Sequence, residues 1–477
     1  MATQPEPTLT ELAAKRLLTI RDRELPPVLQ QQAILCVLDY IGALVSGAAV
    51  PWAGALLEYA RGKPLRLGLR TLTQRRKARE QDLPMWCHSI AHSVIRDDMH
   101  LQAGAHIGVM VIPAALALAE RDGWDADQLL KGVVGGYEMA AFLGAALRSS
   151  KSSNEHFRPS GIIGAFGAAG AAIAGAAQRD PRVTTDVAAN ALGLAANMGS
   201  GFNEWAWAGG SEIITQMGSA ARGGLFSFDL AVAGIESSAT ALEGRSGLFA
   251  AHALAGGAHV AALQFETQLS KSGIGAGITG ARFKPYAGCN FVQTPIATAS
   301  VLSKTIVERG QAVEDIVGVI IVTSTAARKY PGCNFQGPFQ TVQQSKMSLQ
   351  YAVSAAISFR GQMSEESYVQ FQNETLQHLI EACAAEADSA YAVALSKEGK
   401  QPCRITVQTR DGTEYTEALD DVPWLGADAV KDRCKTELGK RFDAATARRI
   451  FDAVYSLALG KSQCIPADVC ELLAKLK

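Results

Sequence analysis

The densest group of ionisable side chains lies at residues 88–106, in the sequence HSIAHSVIRDDMHLQAGAH. It holds four histidines and two adjacent aspartates, and the apolar segment IGVMVIPAALALA follows it directly. Polar residues at a helix start can place a base beside the positive helix end, where a carboxylate substrate is also favoured. The spacing therefore indicates acid–base chemistry, with a helix cap flanked by solvated histidines as the simpler alternative.

Metal binding is the obvious rival interpretation of these histidines. However, His88 and His92 lack the glutamate of an HExxH motif, and DDMH is not a recognised ligand set. We therefore predict no metal site, and no cofactor motif is evident elsewhere in the chain.

A second polar group, HFRPSGIIGAFG, occupies residues 156–167. Arg158, Pro159 and Ser160 would place a guanidinium and free backbone amides at the start of a glycine-rich helix, which suits a carboxylate. A purely structural helix start explains the same residues equally well. Nucleotide binding is not expected, because no GK[ST] follows and no predicted strand precedes this turn.

Two further segments set polar residues beside glycines that permit close backbone approach: NEWAWAGGSEIITQMGSAARGG (203–224) and GARFKPYAGCNFVQTP (280–295). Their polar residues are Glu204, Glu212, Gln216, Arg222, Lys284, Tyr286, Asn290 and Gln293. A buried Lys284 could transfer a proton or pair with a carboxylate. Surface loops are the alternative interpretation of both segments.

Charge and motif content exclude several classes of function. The chain has 45 basic and 46 acidic residues, so no global field attracts nucleic acid or an anionic membrane, and an anionic ligand must be bound locally. The sequence lacks a GxSxG elbow and a GxGxxG after any predicted strand, which leaves hydrolase and dinucleotide functions unsupported. Nine scattered cysteines without a CxxC pair indicate reduced thiols.

Targeting signals are not evident in the sequence. The first residues contain four acids and no apolar h-region, so we predict a cytoplasmic protein. Residues 159–178 form an uncharged stretch of 20 residues, long enough to cross a bilayer. The stretch is mostly glycine and alanine between Arg158 and Arg179, and we predict a buried helix rather than a membrane span.

The elements that must position these residues follow from hydrophobic periodicity. From Leu9 to about Leu269, apolar residues recur at spacings of three and four, which predicts a helical bundle. After residues 271–280 the pattern changes: DIVGVIIVTS (315–324) has the character of a buried strand. The segment RITVQTRDGTEYTEAL (404–419) alternates around Asp411-Gly412, which predicts a type I′ hairpin.

We therefore predict a mostly α protein of two domains, as its length also suggests. Residues 1–272 would form a large all-helical N-terminal domain and residues 273–424 a smaller α+β domain. Helical spacing returns at 425–477, including IPADVCELLAKL (465–476), but periodicity does not decide whether this part packs on the first domain. The basic segment 66–80, with six Lys or Arg, predicts a solvated face or an anion-attracting flap.

Taken together, the motifs resemble the MmgE/PrpD family, the group containing 2-methylcitrate dehydratase and cis-aconitate decarboxylase. HSVIRDDMH (92–100) followed by His106 resembles the family's His-Ala-Leu-Asp-Phe-Asp-Asp-Thr-His stretch and the second histidine that opens the next helix. The further matching segments, in chain order over roughly residues 10 to 460, are FRPSG, GSAARGG, LEGRSGLF (242–249), KPYAGC and QQSKMSLQYAVSAAI (343–357).

This resemblance implies a helical domain, an α+β lid domain, a site in the cleft between them and a homodimer. It also implies removal of a proton next to a carboxylate, followed by loss of water or carbon dioxide, without metal or organic cofactor. His106 matches the catalytic histidine, Lys284 the lysine of the lid domain, and Asp97 and Asp98 the aspartate pair.

Several positions depart from the family pattern and remove groups that would bind or deprotonate a tricarboxylate, which counts against the standard substrates. The substituted positions are Ile95, Met99, Arg158, Ile213, Gln216 and Gln293.

The leading hypothesis is a lyase for a citrate-like or alkylcitrate-like acid. His106 would be the general base or acid, Asp97 or Asp98 would orient it, and Arg158 and Lys284 would hold carboxylates. The predicted substrate-binding set is completed by Ser160, Gln216, Arg222 and Tyr286. The alternatives are an epimerase or isomerase of a specialised pathway and a catalytically decayed binding scaffold.

Overall fold

A computed structural model describes residues 6–55, 89–149, 156–252 and 257–459. The basic segment 66–80, His88 and the terminal segment 465–476 lie outside the described residues.

Helices dominate the described part of the chain, and the predicted mostly α fold with a smaller α+β region is confirmed. The helices before residue 280 are Leu9–Asp22, Pro27–Gly47, Gly108–Asp122, Ala126–Ser149, Pro159–Gly175, Thr185–Ala196, Trp205–Ala208, Glu212–Val232, Leu248–His252, Gly257–Lys271 and Ala276–Thr279. The later helices are Gln293–Glu308, Thr325–Lys329, Val342–Met347, Leu349–Ser358, Glu374–Glu381, Ser389–Glu398, Ala427–Arg441 and Ala444–Tyr455.

The glycine-rich helix Pro159–Gly175 is buried at every position after its first residue. Its proline stands at the first helical position, where a fixed φ favours helix initiation and no N–H is needed. Glycine is required where this helix crosses Ala126–Ser149, since a Cβ on Gly136 would lie only 2.9 Å from the carbonyl oxygen of Gly167. The small residues thus set the close packing that carries Arg158 and Ser160 into the core.

The described residues include one helix, Pro27–Gly47, that could cross a membrane by length and composition. Of its most apolar window, 72% is buried inside the fold, as in the core helix of a bundle. The helix Pro159–Gly175, which covers most of the uncharged stretch, is shorter and enclosed by other helices.

The largest hydrophobic core joins the first helices of the chain to the last ones described. Val430, Leu438 and Ile450, from Ala427–Arg441 and Ala444–Tyr455, are buried in the same core as the helix Pro27–Gly47. The C-terminal helices up to Tyr455 therefore pack on the helical part. The boundary at residue 272 stays a prediction.

A two-stranded ribbon connects the histidine-rich segment 88–106 to the polar segment 280–295. Strand β1, Met99–His100, pairs antiparallel with β2, Ala281–Arg282, so that Met99 lies opposite Arg282. Asp97 and Asp98 immediately precede β1, and Lys284 follows β2 by two residues. The ribbon therefore brings together residues almost 190 positions apart in the chain.

The α+β region contains a four-stranded sheet with the order β4-β3-β5-β6. Its strands are β3 (Ile316–Ser324), β4 (Cys383–Asp388), β5 (Cys403–Thr409) and β6 (Glu414–Leu419). Strand β3 pairs parallel with β4 and antiparallel with β5. The predicted strand at 315–324 and the hairpin at 404–419 are both present.

The predicted type I′ turn of this hairpin is wrong. Of the two central residues, only Gly412 has a positive φ, at 85°, whereas type I′ requires positive φ at both. The amide of Gly412 donates to the Thr409 carbonyl at 2.9 Å, and the Asp411 carboxylate accepts from the Thr413 amide at 3.0 Å. The Asp411 side chain thus stabilises a longer loop with one left-handed glycine.

Candidate active site

Asp97 lies between two histidines at the end of the segment that leads into β1. Its carboxylate is 3.0 Å from Nδ1 of His92 and 3.1 Å from Nδ1 of His106. The two imidazole rings are 5.1 Å apart, centroid to centroid. Asp97 and His92 are fully buried, and the side chain of His106 keeps 12% of its exposure. One carboxylate therefore orients both rings.

The hydrogen bonds determine which ring nitrogens carry protons. Nδ1 of His106 also lies 2.9 Å from the carbonyl oxygen of Asp98, which can only accept, so Nδ1 carries a hydrogen. Nε2 of His92 lies 2.8 Å from Nη2 of Arg158, which can only donate, so this Nε2 is an acceptor. A neutral His106 therefore has its lone pair on Nε2 and a neutral His92 has its hydrogen on Nδ1.

Asp97, His92 and His106 form a triangle of contacting side chains, and burial sets their protonation states. It lowers the pKa of His92 to about 3, against the raising effect of Asp97. Burial and then the charge of Lys284 also lower the pKa of His106. Burial alone would raise the pKa of Asp97, but its two histidine partners outweigh that effect and hold the pKa well below its usual range. The triangle is thus a carboxylate between two neutral imidazoles at neutral pH.

Arg158, the residue before the glycine-rich helix, contacts the triangle through His92. Its guanidinium bonds Nε2 of His92, reaches the Ile213 carbonyl at 3.5 Å and lies 5.0 Å from the ring centroid of Trp205. Burial lowers the pKa of Arg158 to about 10, so it stays cationic at neutral pH. Its bonds to described residues use two of five N–H groups, which leaves donors for an anionic ligand.

The carboxyl group of Asp98 contacts a different set of residues from that of Asp97. It accepts from the Tyr137 hydroxyl and from the Gly108 amide, both at 2.9 Å. Burial, and then the charges of Asp39 and Asp97, raise the pKa of Asp98 to about 8. Asp97, rather than Asp98, occupies the position that orients His106 through a carboxylate, while Asp98 contributes its backbone carbonyl.

Lys284 is fully buried beside the triangle. Its Nζ donates to the carbonyl oxygens of Ile95 at 2.7 Å and Gly288 at 3.2 Å, which uses two of its three N–H groups. Burial lowers its pKa and Asp97 opposes that shift. Ile95 itself has φ of 50°, an outlier for a β-branched residue. Lys284 thus contacts a strained turn two residues before Asp97.

The remaining predicted binding residues divide between the site and its surroundings. Ser160 is buried and its Oγ accepts from the His106 amide at 3.2 Å. Gln216 donates to the Phe202 carbonyl at 2.8 Å, and Arg222 is exposed on the helix Glu212–Val232, so the structure does not bring Arg222 into the buried cluster. The side chain of Tyr286 packs against the core of the α+β region.

Four of the substituted positions have clear structural roles. Ile95, Met99 and Ile213 are buried apolar residues around the triangle. Gln293 accepts from the Tyr286 amide at 3.1 Å and donates to the Cys289 carbonyl at 3.1 Å. The glutamine therefore fixes the turn after Lys284.

Five further residues build the site although the sequence analysis assigns none of them a role there. His92 belongs to the histidine-rich segment, and Lys346 lies in the segment that resembles the family. Buried Asp39 and Tyr137 and the partly buried Arg433 give no such signal. Arg433 pairs with Asp39 and donates to the Lys284 carbonyl at 2.6 Å. The helix Ala427–Arg441 thus supports the lysine segment from the far end of the chain.

The donor atoms of His92, Asp97 and His106 also lie within 4.8 Å of one another, close enough for a metal ion. Their hydrogen bonds oppose that use. Nδ1 of His106 is protonated because it faces a carbonyl oxygen, and a cationic guanidinium lies 2.8 Å from the other histidine. A histidine ligand needs a free lone pair, and a neighbouring cation repels a metal ion, so the donor set fits a metal poorly.

Comparison with known proteins identifies a family over the helical part. The sequence model of the MmgE/PrpD N-terminal domain matches residues 12–260, just over half of the 477 residues. No curated protein sequence matches the chain. The matched range contains His92, Asp97, His106 and Arg158, and the chain belongs to the MmgE/PrpD family, as an enzyme of that kind.

Proposed function

We propose that the protein is a cofactor-independent lyase that acts on a citrate-like or alkylcitrate-like acid by removing a proton next to a carboxylate. The observation that carries this proposal is the orientation of His106. Its Nδ1 is held by Asp97 and the Asp98 carbonyl, which leaves the lone pair of the neutral ring on Nε2, the nitrogen that neither group contacts.

His106 has the properties of a general base. Burial and Lys284 lower its pKa below 6.5, so the imidazole is neutral and able to accept a proton at neutral pH. Once it accepts the proton, the Asp97 carboxylate at 3.1 Å stabilises the resulting imidazolium. The arrangement is the carboxylate–histidine pair of many acid–base enzymes.

Two buried cations supply the electrostatic part of the proposal. Arg158 and Lys284 each retain N–H groups after their bonds to described residues. A substrate carboxylate bound by them would gain negative charge as the neighbouring carbon loses its proton, and fixed cations stabilise that charge most strongly in a buried site.

The proton that His106 carries is used differently in the two lyase reactions. In a dehydration, His106 takes the proton from carbon, the C–H electrons form the double bond, and hydroxide leaves with the proton that the imidazolium returns. In a decarboxylation, His106 first takes up a proton from water, the C–C electrons stay on carbon as carbon dioxide leaves, and the imidazolium then gives that proton to the carbon. Both routes balance without a metal or an organic cofactor.

An isomerase or epimerase is the second candidate, and one observation favours it. His106 is the member of the triangle with exposed side-chain surface, while Asp97 and His92 are bonded to protein partners. A single accessible base can return its proton to the same or a neighbouring carbon without expelling a leaving group.

The test is a panel of citrate, 2-alkylcitrates, cis-aconitate and related hydroxy acids, incubated without added metal in H₂O and in D₂O. Mass spectrometry that shows loss of water or carbon dioxide supports the lyase. Deuterium uptake with a changed configuration and no loss of mass identifies the isomerase instead.

The variant that tests the role of His106 is His106→Ala. We expect it to abolish turnover with a thermal midpoint close to that of the wild type, because the ring is partly exposed and its removal leaves the Asp97–His92 contact. Retained turnover together with a large loss of stability would contradict the proposal.

A further inference from the structure

The turn before Asp97 is held by three donors from three separate parts of the chain. The carbonyl oxygens of Ser93, Val94 and Ile95 each accept a side-chain hydrogen bond. The donors are Trp52 Nε1 at 2.9 Å from the Ser93 oxygen, Lys346 Nζ at 3.0 Å from the Val94 oxygen and Lys284 Nζ at 2.7 Å from the Ile95 oxygen.

This turn needs support because its backbone is strained. Ile95 has φ of 50°, and a left-handed conformation persists in a β-branched residue only where the surroundings over-determine it. The Ile95 carbonyl also accepts from the Gly288 amide at 3.1 Å. Two residues later the chain must place the Asp97 carboxylate against both histidines, so a shift of the turn is a shift of Asp97.

Lys346 is the donor whose burial is hardest to explain otherwise. Its side chain is fully buried, with Nζ 2.6 Å from the Glu365 carboxylate and 5.1 Å from the ring centroid of Trp52. A buried ammonium is costly unless it is paired and hydrogen-bonded. Glu365 neutralises the charge, and the Val94 carbonyl directs one N–H group to the strained turn.

We propose that Lys346 is a positioning residue, which together with Trp52 fixes the turn at 93–96 and thereby holds Asp97 against Nδ1 of His106. The inference rests on the proposed function for its catalytic meaning, since it assigns Lys346 an effect on the base rather than a contact with substrate. The predicted effect on the tautomer of the His106 ring can be measured without any substrate.

The experiment is Lys346→Met in the full-length protein, with ¹⁵N-labelled histidine observed by NMR at pH 7.5. The chain has 8 histidines, and His106→Gln assigns the relevant signal. In the wild type we expect neutral His106 with its hydrogen on Nδ1. In Lys346→Met we expect a mixture with the Nε2–H form, because a shift of the turn moves both the Asp97 carboxylate and the adjoining Asp98 carbonyl, which together hold Nδ1.

Lys131→Met is the matched control. Lys131 is also buried, but it pairs with Asp127 on the helix Ala126–Ser149, away from the turn. The control should lose stability without a change in the His106 signal. A comparable change in both variants, or an unchanged signal in Lys346→Met, would overturn the positioning role.

Kinetics on a panel substrate give the second readout. Misplacement of a catalytic group by about 1 Å costs on the order of 100-fold, so kcat of Lys346→Met should fall roughly 10- to 100-fold while KM changes far less. Equal changes in kcat and KM would overturn the positioning role, because they would indicate lost substrate binding.

Trp52→Phe keeps the inference testable if Lys346→Met does not fold. It removes one N–H donor and leaves an aromatic ring beside Lys346, so the same tautomer shift should occur in weaker form. An unchanged His106 signal in this variant would overturn the part assigned to Trp52. If no panel substrate turns over, the proposed function fails, while the tautomer measurement still decides the positioning role.

Discussion

Asp97 and Asp98 are neighbours in the chain and equally buried, yet their carboxyl groups lie in opposite environments. Asp97 lies between His92 and His106, and its pKa is held well below the usual range. Asp98 accepts from Tyr137 and from the Gly108 amide beside other carboxylates, and its pKa is raised to about 8. Burial is common to both, so the partners decide which of the two is charged.

Asp97 and Asp98 form one motif in the sequence, but the structure gives them two different roles. A charged Asp97 orients the base, whereas a neutral Asp98 joins β1 to the start of the helix Gly108–Asp122 through the Gly108 amide. Adjacent titratable groups whose environments push their pKa values apart are a recurring basis for acid–base assignments. Four experiments would test these assignments.

The largest effect is expected for Asp97→Asn, with Asp98→Asn as its isosteric control. Loss of the orienting charge should lower kcat by about 10²- to 10⁴-fold, because the amide cannot stabilise both imidazoles. Asp98→Asn should lower kcat by less than about 10-fold, since it replaces a group that is already neutral. Steady-state kinetics on a panel substrate measure both, and the reverse order would refute the assignment.

Arg158→Gln should mainly weaken substrate binding. Removing the guanidinium deprives a substrate carboxylate of a charged, fork-shaped donor, and we expect KM to rise roughly 10- to 100-fold. Arg158→Lys should recover only part of this loss, because an ammonium cannot bind two oxygens in the same geometry. Equal kinetics for both variants and the wild type would remove Arg158 from the binding site.

The pH dependence of turnover should report His106. Only the neutral ring acts as a base, so kcat/KM should fall as the pH drops through a pKa below the ordinary 6.5. Because the Lys284 charge lowers that pKa, Lys284→Met should move the acid limb to higher pH. A limb that stays in place would show that Lys284 does not act on the base.

The smallest effect concerns stability and Asp98. A carboxyl group with a raised folded pKa contributes stability that is fully present below the ordinary 3.8 and is lost as the pH rises through about 8. The free energy of unfolding should therefore decline between pH 5 and 8 more steeply in the wild type than in Asp98→Asn. Denaturant titrations at several pH values measure the slopes, and parallel slopes would contradict the raised pKa.

Much of the helical part follows from the sequence because periodicity and glycine content are local signals. The glycine-rich helix and β3 lie where the pattern predicts them. The turn at Asp411-Gly412 differs from the predicted type I′ turn because the Asp411 side chain bonds Thr409 and Thr413 and stabilises a longer loop. The domain boundaries, the homodimer and the cytoplasmic address stay predictions.

The candidate site was less predictable because its contacts are non-local. His106, Asp97, Arg158 and Ser160 meet as the motifs suggest, but Arg222 is exposed on its helix. Helical spacing alone cannot say which side of a helix faces a cleft formed by other elements. Lys346 shows the converse: it lies in a family-like segment but is not predicted to belong to the site, and it is fully buried against the turn before Asp97.

The sequence by itself determined the residue types, the order of motifs and the helical character, because these depend on neighbours in the chain. Only the tertiary structure decided that Asp97 is the orienting carboxylate and Asp98 the neutral one. The ionisation of Asp97 depends on His92 and His106, and that of Asp98 on Tyr137 and Asp39, which two distant helices contribute. A pKa is set by charges and solvent in three dimensions, and sequence adjacency carries no such information.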